Sequence, residues 1–263
     1  MREDRLAGGP PAEHCHGGAT DLLPCGCDPD ELAARMGVPK AVIVGSTLPT
    51  EGPWPNVTRD GRAAGEAARH FGGLFGPLVG VLHDPGSWLV HVDIHVHGPM
   101  AGHPYLDHLT TGMSQRSMKR PERVHGLEAH AELTMRLPLA WAERELRTPE
   151  RFPMWTIGWL RDLARMPHEH ERLLAAGHVV DFDDALEPGC PFAGAVIANA
   201  GWPGPAHAPL RRSDGARVRL LQVVPVYRSE LEFADGGDGR PLLGRLAARG
   251  VDAAVDIERE PVA

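Results

Sequence analysis

Residues 91–97 read His-Val-Asp-Ile-His-Val-His. Side chains two apart share one face of an extended strand. His91, Asp93, His95 and His97 would therefore line one side, with Val92, Ile94 and Val96 on the other. Three imidazoles and a carboxylate are a ligand set for zinc or a non-haem metal, around which an activated water could serve a metal-dependent enzyme. The plainer reading of the same alternation is the wetter face of a half-buried strand.

A second cluster lies near the start of the chain: Cys15-His16 and Cys25-Gly-Cys27. Its ligand types suit a small structural zinc knot on Cys15, His16, Cys25 and Cys27, although the Cys-x-Cys spacing is tighter than the usual C-x₂₋₄-C. Other chemistry is not apparent. His168-Glu169-His170-Glu171 lacks the i, i+4 histidine spacing of H-E-x-x-H and reads as a polar helix end. Asp181, Asp183, Asp184 and Glu187 lack the regular spacing of a calcium loop. Neither a G-x-S-x-G elbow nor a phosphate loop is present. Cys190 has no base that the sequence places beside it, and Arg211, Arg212, Arg217 and Arg219 read as a basic patch flanking a hairpin.

The elements that must position these residues begin near Thr58. Helical spacing covers 61–75, with strands expected at 78–82, 88–97, 105–111 and 129–137 and a short helix at 140–146. The clearest helix is 153–166, where Trp155, Trp159, Leu160 and Leu163 form an apolar stripe opposite Arg161, Asp162 and Arg165. Strands follow at 178–182, 193–198 and 217–227, and a last helix at 241–249 stops at Gly250. Runs of strands with helices inserted predict an α+β domain with a mixed, largely antiparallel sheet flanked by helices. It spans 58–252, after a loosely structured leader at 1–57 with a short helix at 31–36, and before a tail at 253–263.

Composition narrows the function classes. The 263 residues are 42% hydrophobic, within the range of a folded globular chain. A net charge of −8 disfavours nucleic acid as a partner and suits a basic protein. No apolar run approaches the ~18 residues of a membrane span, so a cytoplasmic protein with reduced cysteines is expected. The 15 histidines also raise the prospect of a binder that responds to pH.

Many blocks, taken in order, resemble one family. Arg69-His70-Phe71-Gly72, Val81-Leu82-His83, His91 through Val96, Pro104-Tyr105 and Thr110-Thr111-Gly112-Met113-Ser114 are similar to the Suppressor of Fused domain in its bacterial form. So are Ala131-Glu132-Leu133-Thr134, Leu137-Pro138 and Trp141, then 159–165 with Pro167-His168-Glu169, Gly177-His178, and Leu220 through Tyr227 with Glu230-Leu231. The resemblance covers about residues 62–250. It implies a non-enzymatic α+β domain that binds protein, needs no cofactor and, in bacterial relatives, serves as an immunity protein neutralising a cognate toxin such as a nuclease. It further implies partner contacts from the exposed face carrying His91, Asp93, His95 and His97, and from Tyr105, Gln115 and Arg116. Where the animal protein has an acidic residue, this chain has Gln115. The resemblance also lessens the weight on a metal enzyme, because the family is not one of metalloenzymes. The animal protein's sequestration of a transcription factor does not transfer, since this chain lacks its second domain.

Overall fold

The structure, a computed structural model, describes residues 61–84, 89–121, 128–140, 154–182, 190–234 and 237–263. Eight strands form one sheet: β1 (Leu78–Leu82), β2 (Asp93–His97), β3 (Tyr105–Thr111), β4 (His130–Pro138), β5 (Val179–Asp181), β6 (Gly194–Asn199), β7 (Leu210–Arg211) and β8 (Arg217–Val226). Their order is β1-β2-β3-β4-β8-β6-β5, with β7 paired to β8. Every pairing is antiparallel except β4 with β8. The predicted α+β class with a mixed, largely antiparallel sheet is what the chain adopts.

The helices are α1 (Gly61–Gly72), α2 (Met154–Glu169), α3 (Arg228–Phe233) and α4 (Arg240–Ala248), with a 3-10 turn at Met113–Gln115. Strand period decides what each helix covers. Along β8, Leu221 and Val223 pack toward α2, whereas Val218 and Leu220 pack toward α1, and Val224 and Val226 toward α3 and α4. This central strand is buried on both faces, so it reads as a continuous apolar run.

The stripe predicted on α2 is its buried face. The Trp155 and Trp159 rings meet edge-on at 5.0 Å, Trp159 stacks on Phe182 at 4.2 Å, and Trp155 faces Phe192. The opposite side of the helix is put to use as well. Arg161 donates from Nη2 to the carbonyls of Leu82 and His83 at 2.9 and 2.7 Å, and Arg165 pairs with Asp84.

The last residues are docked on the domain. Val255 donates its amide to Arg136 O at 2.8 Å, and Ala253, Val255 and Val262 are buried. Arg259 grips the carboxylate of Glu230 with both guanidinium nitrogens, at 2.6 and 2.7 Å, and lies over the Tyr227 ring. Burial alone would raise the Glu230 carboxyl. The Arg259 hydrogen bonds, with those from the Val262 and Tyr227 amides, overcome it and hold that carboxyl below its usual range.

Candidate functional site

β2 departs from expectation in one respect that governs the site. The alternation is present, but its polar face is not exposed. Asp93, His95 and His97 have relative accessibilities of 8%, 7% and 4%, and only His91 is half-buried. The reason is tertiary. The α1 side of the sheet is covered, so the histidines face protein rather than water. His97 lies beside Phe75 and bonds through Nδ1 to Gly76 O at 2.9 Å, and burial lowers its pKa. The expected exposed face is thus corrected to a buried polar layer.

That layer divides into two ends. Antiparallel register sets Asp93 opposite Thr111 and His97 opposite Asp107. At the first end, His91 Nε2 and His83 Nδ1 lie 3.0 and 3.3 Å from the same oxygen of Asp93, Oδ1. The Asp84 amide donates to that oxygen at 3.0 Å. Desolvation pushes the Asp93 carboxyl up, but the hydrogen bonds from His83 and His91 outweigh it and keep the carboxyl far below the usual carboxylate range. Among the described residues this is the one grouping whose ligand atoms could jointly hold a metal. The four-residue metal face read from the sequence is therefore not assembled. His83 takes part, while His97 turns to Gly76 O and Phe75 and His95 is not among the grouped donors.

The first end continues into the 3-10 turn. Glu132 is fully buried and gathers four hydrogen bonds. Its Oε1 accepts from the amides of Gly112 and Ser114, both at 3.0 Å, and from Ser114 Oγ at 2.6 Å; Oε2 accepts from Thr110 Oγ1 at 2.7 Å. Burial nonetheless dominates and raises the Glu132 carboxyl. Three side chains hold the turn from the other side. Arg212 Nη1 and His130 Nδ1 bond Ser114 O at 2.6 and 2.8 Å, and His168 Nε2 bonds Met113 O at 3.1 Å. Gly112, at φ +122°, brings its α-carbon so close to His91 O that a Cβ there would stand 1.9 Å from it. The turn thus presents half-buried Gln115 and exposed Arg116 on a fixed backbone.

The second end lies four strand steps away, roughly 13 Å at 3.3 Å per residue. There Asp107, almost wholly buried, takes Arg136 Nε at 2.8 Å and His103. Arg136 stacks 5.2 Å over Tyr105, which His103 meets edge-on. Tyr105 is accordingly remote from Gln115 and Arg116. The seven expected contact residues form two groups with His95 between them.

Other sequence features find plain roles. His168, read from the sequence as part of a polar helix end, is buried and hydrogen-bonded to Met113 O, whereas His178 is exposed. The arginine patch flanks the β7–β8 hairpin, where Arg212 pairs with Asp214, and Arg217 and Arg219 with Glu128. Asp181 pairs with Arg228, and Cys190 is a buried thiol that donates to Phe192 O at 3.6 Å. Cys15, His16, Cys25 and Cys27, the helix at 31–36, the helix at 140–146 beyond its first residue, Asp183, Asp184 and Glu187 lie outside the described residues. No helix among the described residues is long and apolar enough to cross a membrane.

Sequence reasoning overlooked Glu132 as a functional support. Nothing in the sequence set it apart: it alternates with Ala131 and Leu133 on the same period as His130, Thr134 and Arg136, a pattern that suggests solvent.

No curated protein matches the chain significantly. Among solved structures, the chain is similar to the Sufu–Fu complex, at 20% identity and TM-score 0.46 over 65% of this chain and 77% of that one. It is similar to Drosophila Suppressor of Fused, at 20% and 0.47 over 65% of this chain and 42% of that one. A SUFU homolog from Neisseria gonorrhoeae FA 1090 gives 17% and 0.45 over 66% and 79%. The Suppressor of fused protein (SUFU) family model matches residues 89–260, a stretch that runs from the bridge before β2 through the docked tail and exceeds half the chain, and the protein belongs to that family.

Proposed function

We propose that this chain is a non-enzymatic binding module that neutralises a partner protein, a cognate toxin, by direct contact. The observation that carries the reading is the anchored turn after β3. A fully buried carboxylate and three further side chains immobilise residues 112–114, and the chain then emerges at Gln115 and Arg116 beside His91. A pre-organised surface segment of this kind loses little conformational entropy on binding. The net charge of −8 favours encounter with a basic partner such as a nuclease. Asp93 then acts from beneath the contact surface, whereas His97 lies with Tyr105 at the other end of the layer, with His95 between them.

The test is to purify the tagged full chain from its native cells and identify what is retained by mass spectrometry. The retained protein is then expressed alone and together with this chain. The expected result is growth arrest by the partner alone, relief on co-expression, and binding weakened at least tenfold by Arg116→Glu. A retained partner that leaves growth unaffected overturns the toxin reading. Undiminished binding by Arg116→Glu and Gln115→Ala overturns the assigned surface.

A further inference from the structure

We propose that His83, His91 and Asp93 form a three-ligand site for a divalent transition metal, with zinc as the first candidate. The site is independent of the partner-binding reading.

Three observations lead there. The first is spacing. Ligands at the usual zinc distances of about 2.0–2.1 Å in a tetrahedral shell lie roughly 3.4 Å apart. His83 Nδ1 and His91 Nε2 stand 3.3 and 3.0 Å from Asp93 Oδ1, and the donor atoms of the three residues all lie within 4.8 Å of one another. The protein therefore already holds the donors near the separation that a small ion imposes. The second is chemistry. Two imidazoles and one carboxylate leave at least one coordination position for water, the composition of an open zinc site. Side-chain exposures of 14%, 21% and 11% leave an entry path, and a bound ion would be largely shielded from bulk water.

The third is the surrounding shell, since outer hydrogen bonds fix ligand orientation. Arg161 clamps the carbonyls of Leu82 and His83, on either side of the first ligand's backbone. The Asp84 amide holds Asp93, and the Asp84 carboxylate is itself held by Arg165 and by the Val92 amide at 3.3 Å. Both neighbouring arginines are thus committed to carbonyls or to Asp84. The ligands come from the end of β1 and the start of β2, so a bound ion would cross-link two adjacent strands.

The full chain is stripped with a chelator and titrated with zinc against a chromophoric competitor. Two of the three leader cysteines, the Cys-x-Cys pair, are removed as rivals with Cys25→Ser/Cys27→Ser. That double variant should still bind one zinc per chain and, with cobalt(II), show visible d–d bands without the near-ultraviolet charge transfer of a thiolate ligand. His83→Gln and His91→Gln, each introduced separately into that background, should weaken zinc at least tenfold, the scale that even outer-shell changes produce. Zinc should raise the Tm of the parent but not of either histidine variant, while the metal-free Tm of each variant shows that it is folded. Absence of zinc binding in the cysteine variant, or unchanged affinity in both histidine variants, overturns the site and leaves a hydrogen-bonded carboxylate only.

Discussion

Glu132 and Ser114 are joined twice through one oxygen, by the Ser114 amide at 3.0 Å and by its hydroxyl at 2.6 Å. Since Glu132 is fully buried, bulk water does not compete for these donors. Glu132→Ala leaves the Gly112 and Ser114 amides without their acceptor. It should destabilise the domain by about 3–5 kcal/mol, from roughly 1–3 kcal/mol for each stranded donor. Glu132→Gln keeps one acceptor and should cost less. Urea unfolding at pH 7 measures both. Equal losses would show that the carboxylate does not organise the turn.

A second prediction concerns the buried histidines. Burial pushes His108 and His168 down to about 4. An unfolded histidine titrates near 6.5. Below that value the unfolded chain takes up protons that the native state refuses, so stability falls as pH drops from about 6.5 to about 4. The slope should approach roughly 1.4 kcal/mol per pH unit for each histidine. Glu132 acts with the opposite sign, because its carboxyl is raised in the fold and its protonation favours the native state. Denaturant unfolding across this range should show the fall, reduced in His108→Gln. A flat profile would contradict the burial of these rings.

The docked C-terminus should contribute to stability rather than trail from it. Arg259→Ala strands the wholly buried Glu230 carboxylate, and removing one partner of a buried ion pair costs about 3–5 kcal/mol. Truncation after Asp252 should cost at least as much, since Ala253, Val255 and Val262 also leave the core. The check is Tm by circular dichroism. A change below the ~1 kcal/mol of an exposed pair would mean the tail is not held in solution.

Gly112→Ala combines an unfavourable φ of +122° with a Cβ placed 1.9 Å from His91 O. The loss should reach about 3 kcal/mol or more. The turn should also lose amide protection in hydrogen exchange before the strands do. Gly215→Ala offers the contrast. Its φ is +88°, yet nothing lies within 4 Å of the added carbon, so only the backbone term applies.

Much of the fold was legible because period and burial agree. The β3 expectation at 105–111 and the β1 expectation at 78–82 match the strands, and the α2 stripe of Trp155, Trp159, Leu160 and Leu163 is the buried face. The short elements escaped notice. β7 is two residues long and exists through pairing with β8, while α3 begins at a capping box between Tyr227 and Glu230 that reads as loop. The site was half legible. Alternation in β2 correctly separated two faces, but a single strand cannot say whether its polar face meets water or another layer. His83 joins Asp93 only because β1 and β2 pair, and Glu132 reaches Ser114 across 18 positions of chain.

The parallel pairing of β4 with β8 has a consequence for how the chain matures. β1 to β4 form a meander from local hairpins, and β8 carries the other half of the sheet. The seam between the halves joins His130 to Val218, contacts that close a very long loop. Such non-local pairing forms slowly. During synthesis, β4 must wait with an open hydrogen-bonding edge until nearly the whole domain has left the ribosome. Through that interval it is exposed to the strand-to-strand association that an unpaired edge invites.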